Sequence, residues 1–240
     1  MCKRVAGLAL ALLTAHHLMV LLHEWAHGAA AWRLGLKPSP FHIHYGDWTL
    51  LQADEDVDYD PLPASGTPWR ASLIAGAALV VNVLLYAASL RLMARVKPRP
   101  LAAQFAFWLA AFNLAELYSY MPLRAFSPGG DVGHVNAGLR LPPWVLFVLA
   151  TPLIAWQIVR LLRGPLPSLW STLGVNAGAP RIAYGALVVA IIFGLYGAAP
   201  IFYYGAADPR SRWSFLSLAL GLAMFIGLRH TWVGRPAPEA

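Results

Sequence analysis

The sequence predicts an all-α polytopic membrane protein with about six transmembrane helices and a small membrane-associated β-hairpin after the first. Three observations carry this. Of the 240 residues, 58% are hydrophobic and only 12% charged, against about 25% charged in a soluble domain. Apolar runs of the roughly 20 residues that a bilayer requires recur from end to end. The basic residues behind the net charge of +7 stand at the ends of those runs, where they suit anionic headgroups and topology control. The partner this implies is the lipid bilayer and not nucleic acid. No repeat and no low-complexity linker divides the chain, so a single membrane domain, 1–240, is expected.

The first span covers 5–33. Val5 to Leu22 carries no formal charge, no small-residue cleavage site follows, and the helical pattern runs on to about Leu34, so an uncleaved span is expected, not a signal peptide. Cys2 is the only cysteine. It excludes an internal disulfide, and no apolar stretch precedes it as a lipoprotein signal would need. Residues 35–70 are long and polar. Within them "PFHIHYGDWTLLQ" alternates and is rich in β-formers, which predicts a hairpin at 41–52; His42 and His44 are expected to face water. "DEDVDYD" follows. An EF-hand loop would need glycine at its sixth position and glutamate at its twelfth, where Tyr59 and Ser65 stand, so a solvated acidic loop or lid is expected. The second and third spans, 71–93 and 101–121, are separated by Pro98 and Pro100. The stretch 122–143, "PLRAFSPGGDVGHVNAGLRLPP", is too short and polar to span. The fourth span, 144–162, starts after Pro142 and Pro143, and Pro165 and Pro167 mark the loop behind it. The fifth and sixth are 182–204 and 213–233. With six spans both ends share one side. That side holds 11 of the 18 Lys and Arg, Lys97 and Arg99 among them, and the other holds 7, so the positive-inside rule favours cytoplasmic termini.

The run "LMVLLHEWAHGAAAW" contains the costliest residues. Ionisable groups within a span mark function or an internal partner. Residues four apart share a helix face, so His23 and His27 can offer two imidazole nitrogens to one metal ion. Glu24, one step round, is placed to take a proton from water beside it. Buried histidines otherwise bond neighbouring helices, the reading preferred for His16 and His17. A catalytic zinc needs a third protein ligand and an open position. The candidates are Glu116, Asp131, His134 and His230. Asp131 is preferred, because "SPGGDVGH" lets the backbone bend and then presents a carboxylate; a helix N-cap is its alternative role. His134, one turn on, is expected to support the site and not to ligate. Asn113, Glu116 and Tyr120 share a face directed into the bundle, with Glu116 expected to pair with Tyr or Arg.

These motifs resemble the site-2 protease family of intramembrane zinc metalloproteases. "HEWAH" is a full match, "PFHIHYGDWTLLQ" stands where that family has its hairpin, "RASLIAGAALVVNVLL" looks like its Ala-Gly-Pro-x-x-Asn element, and "MPLRAFSPGGDVGH" like its ligand segment. The resemblance covers about Val5 to Arg140, a little over half the chain. It implies Zn2+ on His23, His27 and Asp131, Glu24 as catalytic base, and a membrane-protein or peptide substrate held by Asn82, Asn113 and Ser119. Three departures stand out. Gly76 to Asn82 is longer than the family spacing and lacks the proline. Ser119 holds the place of an asparagine three residues before Pro122, with Asn113 about two turns upstream. The order Gly129-Gly130-Asp131-Val132 replaces Asp followed by Gly. Family members with the motif on their first span carry it nearer the cytosol, with an outside amino terminus, so the analogy and the charge count differ and orientation stays open. The absence of an organelle address fits a bacterial plasma membrane. Two other functions fit the same residues: a noncatalytic membrane scaffold or chaperone that keeps the metal site, and a metal-ion carrier.

Overall fold

Proline starts most of the helices in the computed structural model, which describes residues 2–96, 99–175, 178–208 and 211–233. Lys97 lies outside the described residues. The helices are α1 (Cys2–Arg33), α2 (Pro61–Ala64), α3 (Pro68–Arg95), α4 (Pro100–Tyr118), α5 (Gly130–Leu139), α6 (Pro143–Arg163), α7 (Pro165–Leu173), α8 (Ala179–Val189), α9 (Ala199–Tyr204) and α10 (Arg212–Val233). Proline suits a helix's first turn because the amide it lacks would have no partner there. Pro165 therefore opens α7 where a loop is expected from sequence, and the fourth span runs on through Gly164 to Leu173. Among the described residues six helical segments are long and apolar enough to cross a membrane; four lie within three residues of the expected spans at each end, while the fourth overruns its expected end and the fifth stops at Tyr196 instead of 204.

Helix α4 is the central post; 78% of its spanning window is buried inside the protein. It touches α1, α3, α6 and α7, and Phe107, Trp108 and Leu114 lie fully inside. Its last turn widens into a π-helical segment, Ser119–Leu123, around Pro122, which cannot donate to the helical ladder. A second π segment, Ala190–Tyr196, ends the fifth span and joins α8 and α10 to α4.

The expected β-hairpin at 41–52 is not found. The described residues contain no strand, only an isolated antiparallel bridge between His44 and Asp54. The residues between them are spent on turns. Gly46 and Leu50 take positive φ, Asp47 Oδ1 accepts from the Thr49 amide at 2.8 Å, and the Leu50 and Ala53 amides bond back to Asp47 and Leu50. Turn geometry at those positions breaks the ladder that β-propensity favours. The tip instead lies along α1. His16 Nε2 lies 2.9 Å from the Thr49 carbonyl and His17 Nε2 2.7 Å from that of Trp48. Both histidines therefore hydrogen-bond within the protein, but to this turn and not only to a neighbouring helix as expected.

The polar stretch 122–143, too short to span as expected, contains a ten-residue helix. Helix α5 docks on the first turns of α3 through small residues. Ser72 Oγ donates to the Val135 carbonyl at 2.9 Å. A Cβ on Gly138 would strike Ser72 Oγ and the Pro68 carbonyl, and one on Gly133 would lie 2.6 Å from the Ser127 carbonyl. Small residues permit this close backbone approach, and it presents the first turn of α5 to α1.

Candidate metal centre

His23 and His27 project from one face of α1 towards the first turn of α5, where Asp131 stands. His23 Nε2 is 3.2 Å from Asp131 Oδ2, His27 Nε2 is 3.3 Å from Asp131 Oδ1, and the two Nε2 atoms are 3.3 Å apart. All three residues are at most 3% exposed. Four donors arranged tetrahedrally about 2.1 Å from a small divalent ion stand about 3.4 Å apart, close to this spacing. Asp131 Oδ2 also has no hydrogen-bond donor in spite of its 3.2 Å neighbour. Such lone pairs facing one another are what an ion between them would satisfy. Burial alone would raise the Asp131 carboxyl, but with no ion bound, protonated His27 and His23 beside it hold it well below the usual carboxylate range. His23, His27 and Asp131 are therefore a buried group that could hold a metal ion.

The far nitrogens of the rings fit this role. His27 Nδ1 lies 2.8 Å from the Ile74 carbonyl, which only accepts, so the proton resides on Nδ1 and Nε2 is free to ligate. His23 Nδ1 meets the Asn82 amide at 3.0 Å through Nδ2, while the buried Asn82 Oδ1 has no partner. A half-turn of that amide exchanges the two. With a metal on Nε2, His23 carries its proton on Nδ1, and the turned amide accepts it through Oδ1.

Glu24 is 8% exposed, and its Oε2 is buried without a partner. It lines a cavity of about 890 Å³ together with Asp131, Glu116, Ser119, Tyr120 and Arg124. The cavity's other walls are His16 and Val20 on α1, the segment 50–55, and Tyr196 and Phe202 near the end of the fifth span. Tyr120 stacks on His23, centroids 5.6 Å apart, and the Arg124 guanidinium lies 3.7 Å from the Tyr120 ring centre. Arg124 also reaches Ser119 Oγ at 3.2 Å and Glu116 at 4.0 Å. The expected pairing of Glu116 with an arginine is thus present.

The other residues that the sequence points to fall in different places. Ser119 lines the cavity, and Asn82 stands behind His23. Asn113 is fully buried, does not line the cavity, and donates to the Leu109 carbonyl of its own helix at 2.7 Å. Gly129, not Asp131, caps α5, and no side-chain capping bond is made. His134 stacks on Tyr59 with centroids 3.9 Å apart, lines the cavity and is outside the ligand group. Burial lowers its pKa. His42 is exposed and lies 3.6 Å from Asp56.

Glu55 joins the site without having been expected from sequence. Its carboxylate, that of Glu24 and a ring nitrogen of His27 lie within 4.8 Å of one another. Tyr59 donates to Glu55 Oε1 at 2.8 Å, and burial followed by the Glu55 charge pushes the Tyr59 phenol well above its ordinary range. The buried Lys37 ammonium holds the carbonyls of Glu55 and Asp56. The signal is nonetheless present in "ADEDVDYD": Asp54, Asp56, Asp58 and Asp60 are exposed, while Ala53, Glu55, Val57 and Tyr59 turn inward, a period of two. Comparisons of the chain with protein-family models, with curated proteins and with solved structures found no match.

Proposed function

We propose that the chain is an intramembrane zinc metalloprotease of the site-2 protease type, hydrolysing a peptide bond in or near a transmembrane segment of a membrane-protein substrate. The observation that carries this is the convergence of His23, His27 and Asp131 beside Glu24, whose buried Oε2 is unpartnered, with Asp131 and Glu24 lining a cavity about 890 Å³ in volume. Two imidazoles and a carboxylate are borderline-to-hard donors that suit zinc. When bound there, zinc supplies a Lewis acid and makes water a nucleophile at neutral pH.

The rest falls to the chain's own residues. Glu24 accepts the proton of the attacking water and passes it to the leaving amine, acting as base and then as acid. Asp131 and the two histidines keep their donors fixed through the Ile74 carbonyl, Asn82 and the α3–α5 contact. The cavity admits an unwound stretch of substrate, and its polar residues give freed backbone groups partners that lipid lacks.

The test joins metal analysis with cleavage. The purified chain and Glu24→Gln are reconstituted with a single-span model protein that carries a Gly-Pro pair to loosen its helix. The expected result is one zinc per chain in both and cleavage by the wild type alone. Undiminished cleavage by Glu24→Gln would remove the role given to Glu24. Stoichiometric zinc in the wild type with no cleavage would favour the noncatalytic scaffold instead.

A further inference from the structure

The segment 53–60 forms part of the cavity wall but supplies no group to the chemical step, yet more interactions tie it down than a solvated loop needs. The His44–Asp54 bridge closes its start with two hydrogen bonds of 2.9 Å. Lys37, buried to 8% exposure, fixes the Glu55 and Asp56 carbonyls. Val57 and Tyr59 pack against a small apolar cluster of Ala31, Leu62, Ala71 and Ile74. Tyr59 is further held between His134 and Glu55. The outcome is that Glu55, alone among the acids of "DEDVDYD", is turned inward next to Glu24 and His27.

Two carboxylates and an imidazole so close call for a cation. Glu24 Oε2 is buried and has no hydrogen-bond partner, and an unpaired buried carboxylate is costly. Among the described residues Lys37 forms no ion pair with either carboxylate; its ammonium donates to backbone carbonyls instead. His27 belongs to both donor groups, so an ion held by His23, His27 and Asp131 would lie beside the Glu24–Glu55 pair.

We infer that Glu55 is a displaceable additional donor to the metal centre, delivered by the anchored segment 53–60, and that it closes the open coordination position until substrate or water takes its place. This rests on the metal-centre reading but not on proteolysis. The exchange is a ligand substitution: the Glu55 oxygen leaves the ion as an incoming oxygen binds, with no bond made or broken elsewhere. Structural zinc sites are closed by a fourth protein ligand, whereas catalytic sites keep one position open. Glu55 makes this centre alternate between the two.

The test uses the full chain loaded with cobalt(II), whose visible spectrum reports coordination, and acetohydroxamate as the probe for the open position. Three variants are compared with the wild type. Glu55→Gln and Glu55→Ala remove the carboxylate, and Lys37→Met leaves it but frees its backbone. Metal content is expected to stay at one per chain, since the three primary donors are untouched. The cobalt spectrum is expected to change in the Glu55 variants before any probe is added. Hydroxamate affinity rises about tenfold if Glu55 closes nine-tenths of the molecules, because apparent affinity scales with the open fraction; Lys37→Met shifts it in the same direction. Unchanged spectra and equal hydroxamate affinity at full metal content would overturn the role of Glu55 while leaving the centre intact. Absence of stoichiometric metal in the wild type would instead overturn the centre, and this inference with it.

Discussion

Replacing Asn82 by leucine removes the one side chain that meets His23 Nδ1, at 3.0 Å and with no solvent exposure. Leucine keeps asparagine's branched skeleton but is bulkier, so Asn82→Ala, which also removes the acceptor without adding bulk, is compared with it. Without metal, His23 adapts by moving its proton to Nε2, beside the Asp131 carboxylate. A metal on Nε2 forces the proton back to Nδ1, which then points at an apolar side chain. Leaving such a buried donor unpaired costs about 1–3 kcal/mol, which corresponds to roughly 5- to 150-fold in dissociation constant. Loss of groups that orient a metal-bound histidine generally weakens metal binding about 10- to 100-fold, which agrees. Asn82→Asp supplies an acceptor at the same place and should hold zinc at least as tightly as the wild type. Competition against a chelating dye reads both constants. If Asn82→Leu bound zinc within a factor of about three of wild type, too little to match an unpaired donor, the argument from the ring proton would fail. A variant that kept zinc but lost cleavage would return Asn82 to holding substrate, the role implied by resemblance.

Two further outcomes follow from packing. Gly138→Val places a side chain against Ser72 and the Pro68 carbonyl; overpacking of this kind costs about 1–3 kcal/mol. It should push α5 off α3 and lower zinc stoichiometry, while Gly129→Ala, whose Cβ meets nothing within 4 Å, should leave stoichiometry unchanged. The tip at Trp48 is 77% exposed yet lies against His17, and ten helical residues separate His17 from His27, a distance of about 15 Å along α1. A nitroxide on Trp48→Cys, in a Cys2→Ser background, should collide with dissolved oxygen more than with a water-soluble nickel complex. Dominant nickel collisions would place the tip in water and not in lipid.

Much of the architecture was legible because a bilayer imposes a length rule on sequence. Apolar runs of sufficient length, with prolines and arginines at their ends, have few alternatives in lipid, so six spans are found where six are expected, although the fourth and fifth end elsewhere. Short elements escaped the same reading. The segment 122–143 contains α5 because close packing on α3 through Gly138 and Ser72, and on its own leading loop through Gly133, stabilises ten residues rich in turn formers. The 41–52 stretch lost its ladder to turns at Gly46, Asp47 and Leu50, and its tip found partners in His16 and His17. Neither outcome follows from local propensity, since both depend on a surface supplied by another helix.

At the site the division is similar. The four-residue spacing of His23 and His27 dictates that both imidazoles share a face of α1, whatever the rest of the chain does, since 3.6 residues per turn places them there. That Asp131 meets them at 3.2–3.3 Å, that Asn82 rests on His23 while Asn113 turns back on its own helix, and that Glu55 comes in from an acidic loop were decided by tertiary structure alone. Sequence constrains neighbours within one helix through its pitch; groups far apart along the chain meet only where packed backbones bring them together.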